Sequence, residues 1–311
     1  MNGNSLWAFY FFTIFIRGVR QMKFWQCKGE DRRILPEAVL ALGTDALKDT
    51  ELLEDAMNII TGGDSLKVKT LPLMQNIESV ALGAIPKQIG KVYSIRDYRY
   101  RKISDISIEK GSLVRTPEIQ SILKYVKRHS GEKMILEIEG PFSVLSGMID
   151  PMKLFVAARK HGEELQNLLF DVADELAEYI KLASQAGIKV FSLAEPEGSM
   201  DVIGEKYYQE FVGKSMLYFI SKIKPYMNRS IVHMCGKASS ALEMEHMASV
   251  SKYAVEEKPY KDILFRLSSD PDFRFVGNAC INRKYLETPI VNKLNFVKYP
   301  FTKEEERRRA S

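Results

Sequence analysis

Two of the three cysteines and one of the four histidines in this 311-residue chain lie in segments that could bind a metal ion. His233 and Cys235 are separated by one residue, and on an extended strand such residues point to the same side. Cys280 follows later and can supply a third ligand. Zinc binds mixed imidazole and thiolate ligands, and its catalytic sites keep a fourth position open. The pattern predicts a zinc site, although a cysteine at a strand end is often only a small buried apolar residue.

The open position of such a site has a defined chemical use. A thiol that enters it loses its proton, because a coordinated thiol is deprotonated. The resulting thiolate is a nucleophile at neutral pH. The expected chemistry is therefore activation of a thiol for group transfer.

The elements that position these residues alternate between strands and helices. Alternation at this spacing indicates βαβ units and a parallel sheet, hence the α/β class. We find no glycine-rich phosphate loop, so a (β/α)8 TIM-type barrel with an N-terminal helical extension is favoured over a doubly wound sheet. In such a barrel the chemistry collects at the carboxyl ends of the strands. The predicted strands are residues 134–139, 188–194, 230–234, 250–255 and 273–276.

Two carboxylates fall at those strand ends. Glu139 closes the strand at 134–139, and Glu195 follows the strand at 188–194. Each could hold a proton, or orient His233 through a hydrogen bond on the side of the ring away from the metal, or bind the metal ion itself. Glu137 alternates with Glu139 on one face, so one of the two could instead pair with a lysine. We predict Glu139 and Glu195 as catalytic candidates.

Composition narrows the class of protein. A net charge of +5 without a dense basic stripe argues against nucleic-acid binding. Three cysteines argue against a disulfide framework and fit a reducing cytoplasm. The apolar run at residues 6–16 is shorter than the roughly 20 residues that span a bilayer, and lacks the flanks of a secretory signal.

The expected organisation is a single barrel domain over residues 22–300. Residues 1–21 are expected to be a non-native or disordered extension, with translation starting at Met22; membrane-surface attachment is the less favoured alternative. Residues 301–311 form a charged tail.

Three segments resemble the uroporphyrinogen decarboxylase superfamily. They are GPFSVLSGMID (140–150), AGIKVFSLAEPEGSMDVIGEKYYQEFV (186–212) and PYMNRSIVHMCGK (225–237). Within that superfamily, H-x-C with a distal cysteine marks the corrinoid-dependent methyltransferase branch. The resemblance implies zinc held by His233, Cys235 and Cys280. It also implies a thiol acceptor such as coenzyme M, and a methylcorrinoid co-substrate carried by a separate corrinoid protein.

The sequence also departs from both branches of that superfamily. The arginine-rich PxRQAGRY-type segment of the decarboxylases is absent from the comparable CKGEDRRILPEA (27–38), which disfavours decarboxylation. A non-catalytic corrinoid-binding homologue is a second alternative. Cys280 lacks the glycine that usually follows the third ligand, and lies closer to Cys235 than expected. Either a βα unit has been trimmed, or Cys280 occupies a different strand end.

Overall fold

A computed structural model describes residues 34–298. The apolar run at 6–16, Met22, Cys27 and the charged tail at 301–311 lie outside the described residues, so the expectations about both ends remain predictions. Within the described range, no helix combines the length and apolar character needed to cross a membrane.

A seven-stranded sheet forms the centre of the protein, in the order β1-β4-β5-β6-β8-β9-β7. Strands β2 and β3 form a separate antiparallel hairpin. The strands are β1 (Lys69–Leu71), β2 (Ile85–Ile89), β3 (Val92–Asp97), β4 (Met134–Glu139), β5 (Val190–Ala194), β6 (Ile231–Cys235), β7 (Ala248–Ala254), β8 (Phe275–Ala279) and β9 (Ile290–Phe296).

The neighbouring strands β1, β4, β5, β6 and β8 pair in parallel, and the pairing beyond β8 is antiparallel. Strand β9 pairs antiparallel with both β8 and β7. The predicted α/β class with a mostly parallel sheet is confirmed. Closure into an eight-stranded barrel is not observed in residues 34–298, where β1 and β7 form the two edges of an open sheet. The strand predicted at 250–255 exists as β7, but it is an antiparallel edge strand and not part of the parallel series.

Helices connect the strands and cover the sheet. They are α1 (Glu37–Leu40), α2 (Thr50–Thr61), α3 (Ile77–Ala81), α4 (Pro117–Arg128), α5 (Pro141–Met148), α6 (Pro151–Lys160), α7 (Gly162–Ala186), α8 (Met200–Ile203), α9 (Glu205–Tyr207), α10 (Lys214–Ile223), α11 (Gly236–Met244) and α12 (Tyr260–Leu267). A π-helical segment, Tyr208–Gly213, joins α9 to α10.

The longest helix, α7, shows why the sequence folds this way. Its buried residues Leu165, Leu169, Val172 and Leu176 recur at helical spacing and form one apolar stripe. The helix ends at Gly187, whose φ of 126° is a conformation that residues with a side chain rarely adopt.

Each central strand sends alternate residues to two different environments. Phe191 and Leu193 of β5 belong to the large core that α7 and α10 cover. Val190 belongs to a smaller core closed by α12. Ser192 lies on the Val190 side because side chains alternate along a strand. The smaller core therefore occupies the same face of the sheet as the strand-end residues expected to carry chemistry.

We predict that shortening Leu193 weakens the fold far more than an equal change on the surface. Leu193 is fully buried, whereas Leu66 is 86% exposed. Leu193→Ala should lower the free energy of unfolding by about 2–5 kcal/mol, and Leu66→Ala by less than about 0.5 kcal/mol. Urea denaturation of the two variants measures the difference; equal effects would contradict the burial of β5.

Candidate functional site

Strand β6 places His233 and Cys235 at the carboxyl edge of the sheet. His233 pairs in register with Ser192 of β5 and with Val276 of β8. The register with β8 shifts between His233 and Cys235, so that Cys235 lies opposite Ala279. Helix α11 begins at the next residue, Gly236. Cys280 directly follows β8, so the two cysteines end neighbouring strands.

Two hydrogen bonds connect the helix that follows Cys235 with the strand that precedes Cys280. The Ser239 hydroxyl of α11 donates to the Asn278 side-chain oxygen at 2.8 Å, and the Asn278 backbone N–H donates to Ser239 Oγ at 2.8 Å. Asn278 has a φ of 57°, a left-handed conformation that asparagine tolerates better than most residues. Asn278 lies within β8, two residues before Cys280, and its hydrogen bonds join this strand to α11.

His233 is fully buried and held as a neutral imidazole. Burial lowers its pKa to about 4, and nearby backbone carbonyls offset this only in part. Within residues 34–298, neither ring nitrogen has a hydrogen-bond partner. The Tyr260 ring of α12 packs edge-on against it, with the centroids 5.6 Å apart. A neutral imidazole with unpaired nitrogens is in the protonation state that metal binding requires.

The predicted site residues line one cavity of about 210 Å³. The cavity lies outside the carboxyl ends of β4, β5 and β6, the position where open α/β sheets bind ligands. Cys235 and Cys280 are both partly exposed, and neither is in a disulfide. The five predicted residues that line it are Glu139, Glu195, His233, Cys235 and Cys280.

The donor set fits zinc, although the described side chains are not drawn together into a coordination sphere. One imidazole and two thiols are ligands that zinc accepts, and both ring nitrogens of His233 are buried without a hydrogen-bond partner in residues 34–298. In residues 34–298, no three His, Cys, Asp or Glu side chains are close enough to hold a metal ion as they stand. Ligation by His233, Cys235 and Cys280 therefore stays a prediction.

Glu195 forms hydrogen bonds with the first turn of α5. Its carboxylate accepts hydrogen bonds from the backbone N–H of Phe142 at 3.2 Å and of Ser143 at 2.7 Å, and also from the Ser143 hydroxyl. Burial raises the pKa of Glu195 to about 7, against the lowering effect of these hydrogen bonds. The residue thus caps a helix in the GPFS segment and also exchanges protons near neutral pH.

Glu139 is also buried in the cavity wall. Asn76 donates a hydrogen bond to its Oε2 at 2.6 Å. Burial raises the pKa of Glu139 well above its usual value, and the nearby Glu78 and Glu195 raise it further. The protonated form of Glu139 is therefore favoured more strongly than in a carboxyl group exposed to water.

Several cavity residues were not among the predicted site residues. Glu78 of α3 is 1% exposed, and burial raises its pKa to about 8. Glu137 and Lys237 also line the cavity, and Tyr260 contacts His233. Glu78 lies on a short helix, so a search restricted to the carboxyl ends of the strands does not find it. The alternation of Glu137 with Glu139 was the only sequence signal for a shared face.

The segment that contains β4 to β6 matches the sequence model of a known protein family. The sequence model of the uroporphyrinogen decarboxylase family matches residues 80–262, which is more than half of the chain. The chain belongs to the uroporphyrinogen decarboxylase family. The matched range includes Glu139, Glu195, His233 and Cys235; Glu78 and Cys280 lie outside it.

Similar members of the family include methyltransferases. The chain is 22% identical to the methylcobamide:CoM methyltransferase MtbA of Methanosarcina mazei over 223 residues. That match covers 69% of this chain and 64% of the relative, so the chain spans less than two thirds of its length. A solved methyltransferase from Methanosarcina mazei shares the fold, with a TM-score of 0.55 and 15% identity over 68% of this chain and 67% of that one. The expected resemblance to the methyltransferase branch of the family is confirmed.

We predict that the buried carboxyl of Glu78 makes the protein less stable as the pH rises. The folded protein keeps a proton on Glu78 up to a pKa of about 8, whereas the unfolded chain releases it near the ordinary value of 4.5. Stability is therefore lost between about pH 4.5 and 8. Glu78→Gln should gain about 3 kcal/mol over the wild type at pH 7, and nothing near pH 4.5.

Urea denaturation at several pH values checks this, with the exposed Glu109→Gln as the matched control. The prediction would be contradicted if the free energies of unfolding of the wild type and of Glu78→Gln changed in parallel with pH.

A second prediction concerns the close contact between Gly140 and Glu195. A Cβ on Gly140 would lie 2.7 Å from Met216 Cε and even closer to Glu195 Oε2. Gly140→Ala should therefore displace Glu195 and lower stability by about 1–3 kcal/mol. Gly131→Ala, whose Cβ would meet nothing within 4 Å, should change it by less than about 0.5 kcal/mol. Thermal unfolding of both variants measures this, and a harmless Gly140→Ala would show that the contact is not needed.

Proposed function

We propose that this protein is a corrinoid-dependent methyltransferase. It would move a methyl group from a methylcorrinoid, carried by a separate corrinoid protein, to a small thiol of the class that includes coenzyme M. The observation that carries the proposal is the meeting of His233, Cys235 and Cys280 at one small cavity, with both nitrogens of a neutral His233 unpaired among the described residues. The methyltransferase relatives of the family support it.

In this proposal His233, Cys235 and Cys280 hold a zinc ion. Bound zinc would lower the pKa of an acceptor thiol and so supply it as a thiolate. Tyr260 packs against the His233 ring and keeps it oriented. The Ser239–Asn278 contact holds the two cysteine-bearing segments side by side.

The remaining residues bind the thiol and move its proton. A cavity of about 210 Å³ suits a small acceptor, while a corrinoid would approach from outside. Glu195, with a pKa of about 7, is the carboxyl we assign as acceptor of the thiol proton. Burial favours the protonated form of Glu139, and in that form its hydroxyl can donate a hydrogen bond. The sulfur then attacks the methyl carbon; the C–S bond forms, and the electron pair of the broken Co–C bond stays on the corrinoid.

The decarboxylase alternative is disfavoured by the charge of the cavity. Its lining includes Glu78, Glu137, Glu139 and Glu195, whereas Lys237 is the one lysine or arginine that lines it in the described chain. A polycarboxylate substrate would bring further negative charge to buried acids, which is unfavourable.

As for location, we propose the cytoplasm, where thiol ligands stay reduced.

We predict that the purified protein contains about one zinc per chain and demethylates methylcobalamin in the presence of a small thiol. Cys235→Ser and His233→Ala should lose the metal. Their activity should fall by more than the roughly 10–100-fold that is typical when a residue supporting a metal ligand, rather than the ligand itself, is replaced. Metal analysis and the absorbance change of methylcobalamin measure both effects.

Cys27→Ser is the matched control, because Cys27 is outside the proposed ligand set, and it should keep both zinc and activity. A metal-free protein with full activity would overturn the zinc site. Zinc binding without turnover by any thiol would favour the non-catalytic alternative.

A further inference from the structure

A second cavity, of about 560 Å³, lies at the other end of the central sheet, and we call it the amino-end cavity. It is lined by α10, by the residues that lead into β8, and by the second half of β9. Because β9 runs antiparallel to β8, its last residues lie beside the amino end of β8, whereas Cys235 ends β6 at the carboxyl edge. Within the described chain, no residue lines both this cavity and the one at His233.

Four basic side chains line the amino-end cavity, and they come from separate elements of the fold. Lys224 follows α10, and Arg274 directly precedes β8. Lys293 lies in β9, and Lys298 follows that strand. Asp272 is the one carboxylate among the described lining residues. The folded chain, and not a run of basic sequence, therefore brings these positive charges together.

The described chain does not balance these charges. Among residues 34–298, none of the four basic side chains forms an ion pair with a carboxylate. Nη1 of Arg274 is buried and has no hydrogen-bond partner in that range. Lys293 lies over the rings of Tyr253 and Phe273, 5.7 and 5.9 Å from their centroids, and these contacts leave its charge in place. A guanidinium group stays protonated in proteins, so Arg274 cannot avoid the cost of an unpaired N–H by becoming neutral.

The inner part of the amino-end cavity is apolar. Phe275 and Leu294 are each 3% exposed, and the rings of Phe275 and Phe296 pack edge-on with their centroids 5.2 Å apart. Lys224 and Lys298, by contrast, are exposed. The cavity thus runs from an apolar interior to a basic opening. Its volume is within the range of roughly 300–1,000 Å³ that small-molecule sites occupy.

We infer that the amino-end cavity binds a small organic phosphate, with the phosphate at Arg274 and an apolar body against Phe275 and Leu294. The planar fork of N–H donors on arginine matches two phosphate oxygens. A phosphate ester also carries more negative charge than a carboxylate, which suits several basic side chains. Buried polar atoms are almost always paired in folded proteins, and a bound phosphate would supply acceptors to the Arg274 guanidinium. The inference does not depend on the proposed methyl transfer.

Three compounds separate the two parts of such a ligand. Phenyl phosphate has both the charged group and the apolar ring, whereas inorganic phosphate has only the first and phenol only the second. Calorimetric titration of the purified full-length protein should show phenyl phosphate binding at least about tenfold more tightly than either of the other two, because charged hydrogen bonds and ring burial both contribute. If inorganic phosphate or phenol bound as tightly as phenyl phosphate, the inference would be overturned.

Variants of the cavity give the second measurement. Arg274→Gln should weaken phenyl phosphate binding at least about tenfold. Lys224→Gln should weaken it about twofold to fivefold, because an exposed ion pair contributes less. Arg101→Gln and Lys206→Gln replace exposed residues that do not line the cavity, and as matched controls they should keep the wild-type affinity.

Lys224 is exposed, so its variant keeps the test decisive even if Arg274→Gln does not fold. Unchanged affinity in the cavity variants would place the phosphate elsewhere and overturn the inference.

The charged tail at 301–311 is the competing occupant, because it follows Lys298 closely in the sequence. A variant that ends at residue 300 should bind phenyl phosphate as tightly as the full-length protein. Binding by the shortened variant alone would assign the amino-end cavity to the tail and overturn the inference.

Discussion

Transfer of a charged group from water into a protein interior costs several kcal/mol, and several ionisable side chains of this cavity have undergone that transfer. Burial lowers the pKa of His233 and raises the pKa of Glu78, Glu139 and Glu195. All four groups are therefore driven toward their neutral forms. A neutral histidine is in the protonation state that metal binding requires, and a neutral acid can donate a hydrogen bond. Desolvation of the acids also destabilises the folded protein at higher pH.

Parallel pairing distributes these groups along the sheet. Glu137, Ser192 and His233 occupy one register row across β4, β5 and β6, so a carboxyl group and an imidazole line the same cavity two strands apart. The small Ser192 between them leaves room for a ligand. A slip of one residue in either pairing would turn one of the outer side chains to the opposite face. The apolar residues of the same strands, such as Leu193 and Val232, pack in the large core and resist such a slip.

The sequence predicts which residues share one cavity better than it predicts the architecture. Strand ends of a parallel sheet meet at one edge, so Glu139, Glu195, His233 and Cys235 were expected together without knowledge of strand order. Glu78 could not be found this way, because its position depends on how α3 packs against β4. Barrel closure could not be judged either, since alternation identifies a strand but not its neighbours. For β7 a signal was present: Ser249, Ser251 and Lys252 interrupt its apolar character, as expected of an edge strand.

The position of β7 also explains why the strand that precedes Cys280 lies beside the strand that ends in Cys235. If β7 lay between β6 and β8, as successive units of a barrel do, a whole strand would separate the two cysteines. Instead β7 pairs with β9 at the sheet edge, and β8 lies directly beside β6 with Cys235 opposite Ala279. Cys280 then follows in the next position. Cys280 thus directly follows the strand adjacent to β6. The open sheet and the adjacency of the two cysteine-bearing strands are therefore consequences of the same strand order.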